Sequence, residues 1–248
     1  MKLNCDLGES YGAWQMGLDS QMMAHIDMAN IACGFHAGDP LVLTQTLALA
    51  KQHNVIIGAH PSYPDLVGFG RRSMQCSQNE IISMVHYQIS ALDGMAKNIG
   101  LTLSYVKPHG ALYNDMMAEP EVQDAIFIAL SQYHRPLKLM MLAGNDNQTL
   151  LQKAQHHNVS LLFEAFADRR YQDNGQLTPR SQLGAVLSQN EILSQVQQLL
   201  SKGTVITDTA TEIPLSADTL CVHGDNEAAI ALIAQIKQLC IKSEFKNQ

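Results

Sequence analysis

The chain is short of charge. Asp, Glu, Lys and Arg make up 16% of its 248 residues, against a usual share of about 25%. No run of Lys and Arg stands out and the net charge is −7, so a nucleic-acid binder is not expected. No apolar stretch approaches the ~18 residues needed to span a bilayer, and MKLNCDLGES at the start has no apolar segment of the secretory type. The five cysteines are an odd number without a C-x-x-C pair. They read as reduced thiols of a cytoplasmic protein, not as a disulfide frame or a zinc knuckle. The first strand-to-helix turn has no G-x-G-x-x-G, and there is no Walker A sequence and no G-x-S-x-G. Nucleotide-binding open sheets and serine hydrolases therefore lose weight.

What fills the gap is uncharged and polar, including 22 Gln and 10 His. Apolar residues still reach 46%, enough for a sizeable core and too many for disorder. No linker, repeat or low-complexity tract interrupts the chain, so residues 1–248 are expected to form one domain.

Short apolar runs alternate with segments of helical period. Strands are expected at about 2–6, 29–32, 55–59, 102–107, 137–142, 160–164 and 219–223, with Thr204 to Thr207 as an eighth strand or a connection. Asp39-Pro40 opens a helix to about Asn54. Ser77-Gln-Asn-Glu80 and Ser188-Gln-Asn-Glu191 are capping boxes for helices closed by Gly100 and Gly203, and Asp225 would cap a last helix to about Cys240. Strands joined by helices imply parallel crossovers. An irregular, seven-stranded β/α barrel is favoured over an open sheet.

A barrel gathers its chemistry in the loops after its strands. Here those loops carry Asp6 and Glu9, then Asn30, His36 and Asp39, then His60, then Lys107 and His109, then Glu164, Asp168 and Arg169, and finally His223 and Asp225. Alternation puts Asn4 with Asp6, Gly58 with His60, Tyr105 with Lys107, Leu162 with Glu164 and Cys221 with His223 on common faces. A lysine or glutamate ending an apolar strand needs a partner or a task. Plainer readings compete: Asp39 and Asp225 serve as helix caps, His60 as a hydrogen-bonded rim histidine, and Cys5, Cys33 and Cys221 as buried thiols. Arg71, Arg72, Arg169, Arg170 and Arg180 cluster in two loop regions, which favours an anionic substrate or intermediate.

The motifs NCDLGE at 4–9, ANIACGFHAGDP at 29–40, GAHPSYPD at 58–65, GFGRR at 68–72, KPHGALYN at 107–114, FADRRY at 166–171 and VHGD at 222–225 together resemble the LamB/YcsF family, over nearly the whole chain. The resemblance implies a barrel like those of the glycoside hydrolase/deacetylase group. It implies conversion of 5-oxo-L-proline (pyroglutamate) to L-glutamate, coupled to hydrolysis of ATP, with Mg²⁺, to ADP and phosphate. It also implies action together with two partner subunits, B and C, of a 5-oxoprolinase.

Read against that chemistry, Asp6 and His60 are expected to activate water, or to bind a metal that holds it. Lys107 is expected to stabilise developing negative charge, and His109, His223 or Glu164 to move protons. Arg71, Arg72 and Arg169 are assigned to the substrate carboxylate or phosphate, and Glu9, Asn30, His36, Asp39 and Asp168 complete the binding set. Asp6, His36, His60 and His223 are the candidate ligands for a divalent ion, and whether a transition metal binds stays open. Two other readings remain: a stand-alone metal-dependent amidohydrolase or deacetylase, and a non-catalytic subunit that binds the lactam or scaffolds a complex.

Overall fold

The structure is a computed structural model that describes residues 1–16, 18–223 and 227–246. Seven parallel strands close into a barrel in the order β1 (Lys2–Leu7), β2 (Met28–Ala32), β3 (Ile56–His60), β4 (Leu103–Val106), β5 (Lys138–Leu142), β6 (Leu161–Phe166) and β9 (Thr219–Val222), with β9 pairing β1. The expected strand positions match within two residues. The expected run at Thr204 is not a barrel strand: β7 (Thr204–Ile206) pairs antiparallel with β8 (Glu212–Pro214) in a separate two-stranded sheet.

Helices cover the outside: α1 (Asp19–Met23), α2 (Pro40–Gln52), α3 (Gln78–Asn98), α4 (Gly110–Ala118), α5 (Pro120–Gln132), α6 (Asn147–His156), α7 (Gln189–Lys202) and α8 (Glu227–Lys246). Their starts follow from the sequence. Asp39 accepts from the amides of Leu41 and Val42, with Pro40 in the first turn of α2. Glu80 and Glu191 reach back to the Ser77 and Ser188 amides at 2.7 and 2.9 Å. The expected cap Asp225 lies outside the described residues. Among the described residues, no helix is long and apolar enough to cross a membrane.

The main apolar core lies between barrel and helices, built from outward strand residues such as Leu3, Ile31, Ile57 and Val106 and inward helix residues such as Leu47, Ile89 and Ile126. The lumen is different. Met28, Tyr105 and Met140 pack in a small apolar layer, above which polar side chains begin. Tyr105 donates to Asn30 Oδ1 at 2.6 Å, and Asn30 donates to Asn4 Oδ1 at 2.8 Å and to Asp6 Oδ1 at 2.7 Å. Gly58 makes room for this ladder, since a Cβ there would overlap the Tyr105 ring.

Candidate active site

The ladder leads to a buried ion cluster at the C-terminal end of the barrel. Lys107 Nζ lies 2.9 Å from Asp6 Oδ1, 3.0 Å from Glu164 Oε2 and 3.2 Å from Cys221 Sγ. Asp6 comes from β1, Glu164 from β6, Cys221 from β9, and Lys107 from the residue after β4. Burial alone would push the Asp6 carboxyl up, but the adjacent Lys107 charge and His60 hold it well below the usual carboxylate range. Burial opposes the Lys107 charge too, yet Asp6, Cys221 and Glu164 keep the ammonium well above its ordinary value. Two of the three N–H donors of the ammonium go to Asp6 Oδ1 and Cys221 Sγ, and Glu164 adds an ion pair. Lys107 thus neutralises and fixes Asp6 while also lining the pocket.

Two imidazole groups flank Asp6. On one side, His60 Nε2 lies 3.5 Å from Asp6 Oδ2. Its Nδ1 lies 2.7 Å from the Lys107 carbonyl; a carbonyl can only accept, so this nitrogen carries a proton. His109 Nδ1 is 3.0 Å from His60 Nε2, and its Nε2 donates to the Phe69 carbonyl at 2.9 Å. His36 stacks on His109 at 3.7 Å between ring centroids, and its Nε2 is 3.1 Å from Glu9 Oε1. Burial, and then the neighbouring histidines, push both His36 and His109 well below the ordinary imidazole value. Gly70, at φ +64°, closes this stack, since a Cβ there would strike His109 and His36.

On the other side, His223 Nδ1 is 2.9 Å from Asp168 Oδ1, and its ring stacks on Phe166 with centroids 5.2 Å apart. The buried carboxylate and the aromatic face fix the ring so that Nε2 is left for the pocket.

These groups form the floor of a pocket of about 460 Å³ lined by Asp6, Glu9, His60, Lys107, His109 and His223, with Arg71, Arg169 and Arg180 on its walls. Arg169 is anchored by the Thr178 carbonyl at 2.7 Å and the Ala185 carbonyl at 3.3 Å, and Arg71 lies over the Phe69 ring at 5.0 Å.

Not every expected site residue reaches the pocket. Asn30, His36, Glu164 and Asp168 are buried behind it and act on Asp6, Glu9, Lys107 and His223 respectively. Asp39, expected to bind substrate, is taken by the start of α2 and the Gly12 amide. Arg72 turns away to Asp65, its side chain 66% exposed. The expected metal set divides: His36 and His60 gather with Glu9 and His109, whereas Asp6 and His223 gather with Cys221. Arg180 and Asn114 line the pocket although neither is an expected site residue. Arg180 carries a signal, its place in the arginine-rich loops; Asn114 sits in α4, whose start has no side-chain cap to mark it.

The LamB/YcsF family model matches residues 1–248, and the chain belongs to that family. It is 55% identical over 238 residues to the 5-oxoprolinase A subunit of Vibrio cholerae serotype O1, covering 96% of each chain. It is 51% identical to the second 5-oxoprolinase A subunit of Pseudomonas putida, covering 95% of this chain and 92% of that one. A crystal structure of the lactam utilization protein from Thermus thermophilus superposes with a TM-score of 0.88 at 37% identity, covering 98% of this chain and 97% of the other.

Proposed function

We propose that this LamB/YcsF chain is the ring-opening subunit of an ATP-dependent 5-oxoprolinase, converting 5-oxo-L-proline to L-glutamate in a complex with subunits B and C. The observation that carries this reading is the placement of Asp6 between two tethered imidazoles under three arginines. The names and full-length coverage of the relatives agree with it.

A five-membered lactam is a stable amide, and phosphorylation of its oxygen makes the ring carbon electrophilic. Water then adds to that carbon, the ring nitrogen takes a proton and leaves, and the resulting acyl phosphate is hydrolysed to glutamate and phosphate. The pocket offers a group for each need. Asp6 Oδ2, the oxygen not held by Lys107 and Asn30, receives the attacking water beside His60. His223, oriented by Asp168, delivers the proton to the departing nitrogen. The arginines on the walls suit the substrate carboxylate and the phosphate. ATP and its Mg²⁺ are assigned to the assembled complex, since the sequence has no standard phosphate loop. An ATP-coupled reaction, and cysteines that form no disulfide among the described residues, fit a cytoplasmic setting.

The Glu9, His36, His60 and His109 cluster favours one other reading, an amidohydrolase that works alone with a metal ion. One reconstitution separates the two. The chain is assayed for glutamate release from 5-oxoproline alone, with B and C, and with B, C and MgATP. Turnover only in the last mixture is expected; glutamate from the chain alone without ATP would sink the proposal.

A further inference from the structure

We infer that Glu9, His60 and His109 form a binding site for one divalent transition-metal ion, with His36 holding Glu9 in place. The inference deepens the proposed function, and its test is independent of that reading.

His60 must use Nδ1 to donate to the Lys107 carbonyl, and His109 must use Nε2 to donate to the Phe69 carbonyl. The remaining ring nitrogens, His60 Nε2 and His109 Nδ1, turn toward each other only 3.0 Å apart. Glu9 Oε1 stands 3.3 Å from the same His109 nitrogen. Two imidazole nitrogens and one carboxylate oxygen thus converge in one buried corner. A cation satisfies all three at once. Metal-binding histidines typically donate their second ring N–H to a backbone carbonyl or carboxylate, and both rings here do so.

The spacing agrees. Bonds of ~2.0–2.1 Å to nitrogen and oxygen, at angles between octahedral and tetrahedral, place neighbouring donor atoms about 2.9–3.4 Å apart. The 3.0 and 3.3 Å separations fall inside that range. Two imidazoles and one carboxylate suit zinc, nickel, cobalt or iron better than magnesium or calcium, which prefer oxygen ligands. His36 lies parallel to His109 and approaches Glu9 Oε1 at 3.1 Å, which is the place of an orienting donor and not of a fourth ligand. All three ligands line the pocket, so the ion keeps a face open toward it.

The neighbouring group of Asp6, Cys221 and His223 is not the ion's position. Lys107 already stands 2.9 Å from Asp6 Oδ1 and 3.2 Å from Cys221 Sγ, and a divalent cation there would face an ammonium group.

The full-length chain is stripped with a chelator, dialysed and titrated with Co²⁺ and with Zn²⁺ in the absence of substrate. One equivalent of each is expected to bind, with visible Co²⁺ absorption of a low-coordinate nitrogen-ligated site and a raised melting temperature. His60→Asn and His109→Gln should each weaken Co²⁺ binding at least ~100-fold, and His36→Ala about tenfold, in proteins whose circular dichroism remains native. His223→Gln should bind Co²⁺ like the parent. No binding by the folded parent chain, or binding that survives His60→Asn and His109→Gln but fails in His223→Gln, overturns the site. Glutamate release is read separately on the complex. A chain that binds no ion in a complex that still makes glutamate overturns the metal centre alone. A chain that binds one ion in a complex that makes none supports the centre and overturns the proposed function.

Discussion

The Asp168 carboxylate sits 2.9 Å behind Nδ1 of His223, so the ring keeps that proton inward and presents its other nitrogen to the pocket. The pairing predicts a split between binding and chemistry. Asp168→Asn keeps the size of the side chain but can present an amide N–H to Nδ1 and so reverse the tautomer. In the reconstituted complex kcat is expected to fall by ~10²-fold or more, within the usual range for general acid–base groups, with KM little changed. Steady-state glutamate release measures both, and a KM effect alone would refute the role.

Lys107 is expected to matter first to stability. Lys107→Met leaves Asp6 and Glu164 as buried carboxylates without their countercharge, which costs about 3–5 kcal/mol. Adding Glu164→Gln removes one of those charges, so the double variant should regain at least ~1 kcal/mol in urea unfolding. Simple additivity of the two losses would show that the three groups do not act as a unit.

The arginines should separate sharply. Arg180 lines the pocket, and Arg180→Ala removes a charge-assisted contact of roughly 1.5–3 kcal/mol, raising KM for 5-oxoproline about 10- to 100-fold. Arg72 is largely exposed and paired with Asp65, so Arg72→Ala should leave KM unchanged. Equal effects of the two substitutions would argue against a pocket role for Arg180.

A pH effect is expected away from the site. Asp93 on α3 accepts from Arg135 Nη2 at 2.6 Å and from the Tyr133 hydroxyl at 3.0 Å. Burial opposes its charge, but these donors hold its carboxyl below the usual range. A depressed carboxylate stabilises the fold above its unfolded pKa of about 3.9, and that contribution is lost as pH falls through the folded value. Asp93→Asn should therefore cost ~1 kcal/mol near neutral pH, and the gap to the parent should close as the medium is acidified below that range. Denaturation curves at several pH values read it directly.

The sequence made the barrel and its rim legible, because both follow from local rules. Strand ends can be counted, and polar residues ending apolar runs such as Lys107 and Glu164 stand out. Where a side chain goes next depends on neighbours that only the closed sheet supplies. Asp39 and Arg72 looked like site residues by position, yet a helix start claims one and Asp65 the other. Glu9, His36, His60 and His109 lie up to a hundred residues apart, and only the strand register brings them to one corner. The ladder from Tyr105 through Asn30 to Asp6 was hidden for the same reason, since it needs the gap left by Gly58.

The pairing of β9 with β1 has a further consequence. Thr219 on the closing strand donates to the Lys2 carbonyl, 217 positions away in the chain, and the same strand pair delivers Cys221 and His223 to Asp6. Closing so long a stretch of chain is entropically expensive. The floor of the pocket is thus held where the two ends of the barrel meet, and a chain that fails to close there lacks the pocket.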